Sequence, residues 1–322
     1  MTPHISLRVV VVTAAIAAAA VVASAPLSGQ AMFNRENTPR QPRAPSWLAE
    51  KATLLPLEVG RTPWGEPDFR GVFGTEGVSS DNIESVEDWL DPATPPTETF
   101  IVDPADGKVP YQPWALAERG RFRAGLARGW PNESGERLHM DPQTFCMTGI
   151  PRIAWRSAWQ IMQVPGYVIV NIGWGHFYRV IPTDGRPSTL DPSVKLWLGH
   201  SRGRWEGNTF VVEVTHLNGR QWFDSYANFY SENARMVERW TLVKTRRPQG
   251  GERVSIDWQV TVDDPTVFTR PWTMNLPLRR QDADEQWEHA CHEGNAHHIE
   301  GAAALGFLWF RGVTPPSTAR PR

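Results

Sequence analysis

Between Phe145 and about Phe310 the chain reads as short apolar stretches broken by turn residues. In Thr209–Thr215 the alternate positions Phe210, Val212 and Val214 would share one face of a strand. Ser157–Gln163 and Tyr167–Ile172 flank Val164-Pro165-Gly166. That is a hairpin signal, because Pro fixes φ and Gly supplies a positive φ. Phe177–Ile181 predicts the next strand and ends at Pro182-Thr-Asp-Gly185. Lys195–Leu198 and Arg204–Trp205 lead into the turn Glu206-Gly207-Asn208. Arg235–Lys244 and Arg253–Val262 form a longer hairpin, Asp263-Asp264-Pro265 turns into Thr266–Met274, and Glu285–Cys291 reads as a last strand.

Roughly eight strands joined by short turns favour antiparallel neighbours. The expected fold is therefore mainly β, an antiparallel meander closing into a lipocalin-like barrel, since closure removes exposed edges. A two-sheet β-sandwich is the alternative. Upstream, Gly74–Glu136 is irregular, with one predicted helix at Pro113–Arg128 whose Trp114, Leu116, Ala117, Phe122 and Leu126 would share a face.

The ends read differently. Met1–Arg8 is weakly basic, Val9–Val22 is apolar, and Ala23-Ser24-Ala25 supplies small residues. This order is that of a secretory signal, cut after residue 25 or as late as 31. The apolar run falls short of the roughly 20 residues that span a bilayer. The domain reading is residues 1–25 signal, 26–52 flexible lead-in, 53–144 an irregular region packing on the barrel, 145–312 the barrel and 313–322 a disordered tail. The place of work is then the periplasm or the exterior, with no membrane association after cleavage.

Lys and Arg number 33 against 35 Asp and Glu, a formal charge of −2. No basic block stands out, which argues against a nucleic-acid partner. The two cysteines, Cys146 and Cys291, would meet an oxidising compartment, so a bridge between them or two separate buried thiols are both open. The 16 tryptophans are in excess, and fit either a core of large residues or a cavity for an aromatic, terpenoid or sugar ligand.

Around residue 200 the run Trp197-Leu-Gly-His-Ser-Arg-Gly-Arg-Trp-Glu-Gly-Asn-Thr-Phe-Val-Val resembles a family of exported bacterial proteins of uncharacterised function, which reads "GDSRGRWEGDTLVV" there. Tyr178–Arg186 is similar to its "YRxIPxDGR" segment, Cys146–Arg152 to "CxxGxPR", and Ala290–Asn295 to "ACHEGN". Val237–Trp240, Thr261–Pro265 and Thr269–Trp272 are similar to its later blocks. The resemblance spans roughly residues 60–300 and implies export, but no common activity. His200 and Asn208 stand where that pattern has acidic residues.

Several constellations could carry chemistry. Gly199-His200-Ser201-Arg202-Gly203 matches the text of a nucleophile elbow, but a strand follows where the elbow needs a helix. His289, His292, Glu293 and His297 could gather round a metal in a loop, yet the spacing from His292 to His297 is not that of a zinc helix, and no metal is expected. Asp184, Arg186, Arg204 and Glu206 lie at strand ends that could share a barrel mouth. There Arg186 or Arg204 could bind a carboxylate, and Asp184 or Glu206 could act as a general base. His176 could titrate near neutrality. Glu238-Arg239 lies mid-strand, so one of the two faces inward and must be paired.

The candidate catalytic residues are thus His176, Asp184, Glu206 and Glu238. Tyr178, Arg186, Trp197, His200, Arg204 and Trp272 are candidate contacts to a small-molecule ligand. No dinucleotide, phosphate-loop or haem-attachment motif is present, so no cofactor is expected. The reading is a barrel that binds a small apolar or aromatic molecule and acts on it by acid–base chemistry, as a lyase, isomerase or hydrolase. A non-catalytic carrier and a structural envelope protein are the alternatives. The oligomeric state is not legible.

Overall fold

In the computed structural model the described residues are 47–75, 82–84, 99–125, 141–155, 158–247, 250–283, 286–287, 289–304, 310 and 312–316. The expected signal, most of the lead-in and residues 317–322 of the expected tail lie outside them, as do residues 126–128 of the expected helix.

The strands are β1 (Gly71–Gly74), β2 (Ile101–Asp103), β3 (Trp159–Val164), β4 (Tyr167–Ile172), β5 (Phe177–Pro182), β6 (His200–Glu206), β7 (Thr209–Thr215), β8 (Arg235–Arg246), β9 (Glu252–Asp263) and β10 (Trp272–Arg280). Nine of them follow one another in the order β5-β4-β3-β1-β10-β9-β8-β7-β6, each antiparallel to its neighbours. The short β2 pairs with β10 at Thr273 and Met274, while β1 takes the same strand at Arg279 and Arg280. The sheet curls until β5 lies beside β6, a nearly closed barrel rather than a sandwich.

Strand parity decides how it closes. An alternating sheet with an odd number of strands brings two parallel strands together at the seam. β5 and β6 form no ladder, and the seam carries one backbone bond, from Gly185 N to Gly203 O at 3.0 Å. Gly203 permits the approach: a Cβ there would collide with the Phe210 ring and sit 3.1 Å from Ile181 Cγ2.

Alternation fills the interior as the pattern predicts. Met236, Glu238, Trp240 and Leu242 of β8 are buried, as are Ile256, Trp258, Val260 and Val262 of β9. From β3, Trp159 meets Trp258 at 5.0 Å and Trp240 at 5.6 Å between ring centroids. Burying one tryptophan removes roughly 150–250 Å² from water, worth about 4–6 kcal/mol at ~25 cal/mol per Å². Three such rings outweigh the several kcal/mol that each buried ion costs, so the barrel can hold a charge pair inside.

The end of the barrel where β7 stops and β8 begins is plugged. Trp222, Phe223, Phe229 and Tyr230 of the β7–β8 connection are buried. They pack with Phe122 of the helix α2 (Pro113–Gly125) and with Phe310, which meets Phe122 and Trp222 at 5.5 Å each. Asp224 pins this connection, accepting from Ile83 N at 2.9 Å, Tyr226 N at 2.9 Å and Asn228 N at 3.1 Å. Burial raises its pKa despite those bonds. Asp264 does the same for the β9–β10 connection through Ser231 N at 2.7 Å and Thr266 N at 3.1 Å, and burial raises it too.

Some expectations change. The buried positions of α2 are Ala115, Arg119 and Phe122, whereas Leu116 is exposed. Arg119 is buried because Glu84 pairs with it at 2.7 Å. Residues 266–271 form the Asp264-held loop, so the strand begins only at Trp272. Lys195–Leu198 is not a strand; Leu196 makes a single bridge to Leu217. Cys291 does not end a strand but opens a helix, α3 (Cys291–Ala304), which runs through Gly294-Asn295. Trp47–Lys51, assigned from sequence to the flexible lead-in, is a short helix, α1, docked outside the barrel. There Trp47 Nε1 donates to Asn275 Oδ1 at 2.9 Å, and Glu50 meets Arg279 at 2.6 Å.

Candidate binding groove

Glu238 is the inward member of its pair and is fully buried, while Arg239 faces out. One Glu238 oxygen accepts from Arg179 Nη2 at 2.5 Å. The other accepts from Arg179 Nη1 at 3.2 Å, Trp240 Nε1 at 3.0 Å and Trp258 Nε1 at 3.1 Å. Arg179 comes from β5 and also donates to Ser201 Oγ of β6 at 2.8 Å. Its guanidinium therefore bridges the seam that lacks a backbone ladder. Ser201, the residue of the elbow-like text, lies inside a strand as an acceptor for that cation.

The other sequence candidates lie elsewhere. Asp184 and Arg186 pair with each other at 3.2 Å on the exposed chain after β5. The bond from Gly185 N to Gly203 O sets this chain beside the middle of β6. Glu206 faces outward, held by Arg239 at 2.9 Å and Arg204 at 3.0 Å. Arg239 first, then Arg204, keep its carboxyl below the usual range. Arg204 also reaches Glu213 at 2.7 Å, so these charges form a ladder on the outer wall. Trp272 is buried against Phe223 and Phe268. Trp197 is half-buried, and its carbonyl accepts from Gln221 at 2.5 Å. His200 Nδ1 lies 2.6 Å from Ser188 Oγ, with its ring edge-on to His216. Partial burial, then Arg202 and His216, lower its pKa. Among the described residues no group of His, Cys, Asp and Glu is spaced to hold a metal ion.

His176 stands at an open groove. The turn 173–176 joins β4 to β5, and His176 within it has a φ of 58°. Against this turn lies the segment leading into α3. Gly175 N donates to His289 O at 3.2 Å and His289 N to Gly173 O at 3.3 Å. Gly173 must be glycine, because a Cβ would collide with the Gln286 amide and come within 2.9 Å of the Trp287 carbonyl oxygen. The disulfide Cys146–Cys291 then ties this wall to the 3₁₀ turn Pro142–Phe145, across 145 residues of sequence. Trp174 packs on that disulfide and stacks with Phe177 at 6.1 Å. Of the two cysteine readings, the bridge is the one that holds.

The groove encloses about 350 Å³ and is lined by Asn171, Ile172, Gly173, His176, Gln286 and Trp287. Its volume sits at the lower end of the roughly 300–1,000 Å³ of small-molecule pockets. Trp287 is 84% exposed, whereas the other tryptophans of described burial are buried or half-buried. Tyr178, 69% exposed, is the cross-strand partner of Asn171 on the same outer face. Sequence reading missed Asn171 and Gln286, and counted Trp287 among the strand tryptophans. Its surroundings, Asp282-Ala-Asp-Glu-Gln-Trp-Glu-His289, hold no alternating apolar partner, and that is the signal of an exposed indole. Comparison with protein-family models, with curated proteins and with solved structures finds no match to this chain.

Proposed function

We propose that this protein is an extracytoplasmic binding protein that takes a small molecule in the groove at the turn 173–176, not inside its barrel. The observation that carries the reading is the Trp287 indole, left in water beside a groove in a protein that otherwise covers its described tryptophans. An exposed ring of that size offers a flat contact area at little ordering cost. The apolar leader and the disulfide support the extracytoplasmic placement.

The acid–base reading finds less support. Glu238 is committed to one guanidinium and two indoles, and Glu206 to two surface arginines. Among the described groove-lining residues, His176 is the one titratable side chain. A structural envelope role is the second reading, favoured by an interior filled with Trp159, Trp240 and Trp258.

The test is a fragment screen by saturation-transfer NMR on the purified protein, repeated on Trp287→Ala. The reading expects binders whose signals vanish in the variant. A screen whose hits all survive Trp287→Ala, or one with no hits, defeats it and leaves the structural role.

A further inference from the structure

The connection from β5 to β6, residues 183–199, doubles back along β6. Gly185 N donates to Gly203 O at 3.0 Å, and Ser188 Oγ lies 2.6 Å from His200 Nδ1. Moving forward from 185 to 188 moves back from 203 to 200, so the connection runs antiparallel to that strand. Further on it is fastened a second time. Leu196 N donates to His216 O at 2.7 Å, and Asn218 N donates to Leu196 O at 3.1 Å. Each fastening point carries a histidine, and the two rings meet edge-on at 5.8 Å between centroids. We propose that His200 and His216 form an acid-sensitive clasp: a proton gained by His200 beside His216 loosens the connection from the β6–β7 hairpin, while the barrel stays folded.

The geometry holds the two imidazoles together. Thr215 faces His200 in the β6–β7 ladder, and its Oγ1 lies 2.7 Å from His216 Nδ1. His216 has a φ of 60°, a left-handed backbone that a residue with a Cβ keeps only when its surroundings impose it. The charges around the pair set the sign. Arg202 stands two residues from His200 on the same face of β6, and Glu213 opposite Arg202 is engaged by Arg204. On the connection, Asp184 pairs with Arg186 and Lys195 reaches Glu232 O at 2.8 Å. Asp191 lies close enough to His216 for their charges to attract, which favours a proton there and adds to the charge facing His200. A proton on His200 therefore meets two groups of its own sign. Partial burial, then Arg202 and His216, disfavour it in the clasped form, whereas a loosened His200 regains the ordinary value of 6.5. The loosened form binds the proton more readily, so the clasp holds above that pH and weakens as pH falls below it.

The experiment is amide hydrogen exchange on the purified protein at about pH 7.5 and about pH 5, the range in which an imidazole titrates. Protection is corrected for the intrinsic pH dependence of exchange. At Leu196 and Asn218 it should fall several-fold at the lower pH, while the amides of β8 and β9 keep theirs. His200→Gln, which can bond Ser188 but cannot charge, should abolish the fall. Equal protection at both pH values, a fall that persists in His200→Gln, or one shared by β8 and β9 overturns the proposal. Should His200→Gln be loose at both pH values, NMR titration of the His200 ring in the parent decides. A midpoint below 6.5 supports the clasp, and one at or above 6.5 overturns it.

Discussion

The barrel interior and the end groove use the same residue types to opposite ends. Inside, Trp240 and Trp258 turn their N–H groups onto the buried carboxylate of Glu238, and each ring is fully covered. At the groove, Trp287 shows its ring to water beside two amides and a histidine. The buried carboxylate is saturated: each Glu238 oxygen is occupied, and the Arg179 cation that occupies both also spans the seam. The groove is unsaturated in the sense that matters for binding, since an indole face still has apolar area to lose. A wealth of tryptophan is therefore no single signal. Burial divides it into a part that stabilises the fold and a part available to a partner.

That division can be broken in three ways. The largest effect belongs to Arg179→Met, which leaves Glu238 buried and unpaired and opens the seam. Loss of one partner from a buried pair costs about 3–5 kcal/mol, to be read by urea denaturation. Arg179→Met combined with Glu238→Leu should recover much of that loss, because replacement of both ions by apolar groups is often near neutral. A double variant no more stable than the single one would mean the pair does more than cancel charge.

Next comes Cys146→Ala with Cys291→Ala. The loop closed is 145 residues, and removing a native disulfide typically costs about 2–5 kcal/mol. Because the bridge ties down the wall that carries Trp287, binding of the fragments that depend on Trp287 should weaken along with stability. Hydrogen exchange at Gly175 and His289 measures the loosening, and unchanged protection there would separate the bridge from the groove.

The smallest effect is expected at the surface. Trp287→Ala should shift stability by no more than ~0.5 kcal/mol, as surface changes usually do, so its consequence is confined to binding. Glu206→Gln should leave the melting temperature almost unchanged, because that carboxylate is exposed and its partners are surface arginines. A large drop from either would move the residue from the outer wall to the framework.

Much of the barrel was readable in advance. The strands predicted at Tyr167–Ile172, Phe177–Ile181, Thr209–Thr215, Arg235–Lys244 and Arg253–Val262 agree with the observed ones to within two residues at each end. Strict alternation leaves little choice of face, and short turns leave little choice of neighbour. The stretches that departed from expectation did so for local reasons. Glu285–Cys291 lacks alternation, and α3 forms although Gly294 and Asn295 are poor helix formers, because Cys291 is anchored by the disulfide. The inward charge at Glu238 or Arg239 followed from strand geometry alone, but its partner did not: Arg179 lies 59 residues away along the chain.

The residue pattern alone determined an antiparallel β fold, the faces of its strands and the need for one inward charge, since all three follow from a two-residue period and the cost of dehydrating an ion. Only the tertiary structure decided that nine strands meet at a parallel seam, that Arg179 bridges it, and that Asn171, His176, Gln286 and Trp287 stand at one groove. Those outcomes depend on contacts between segments remote in sequence, where the period of side chains along a strand carries no information about which distant residue will arrive.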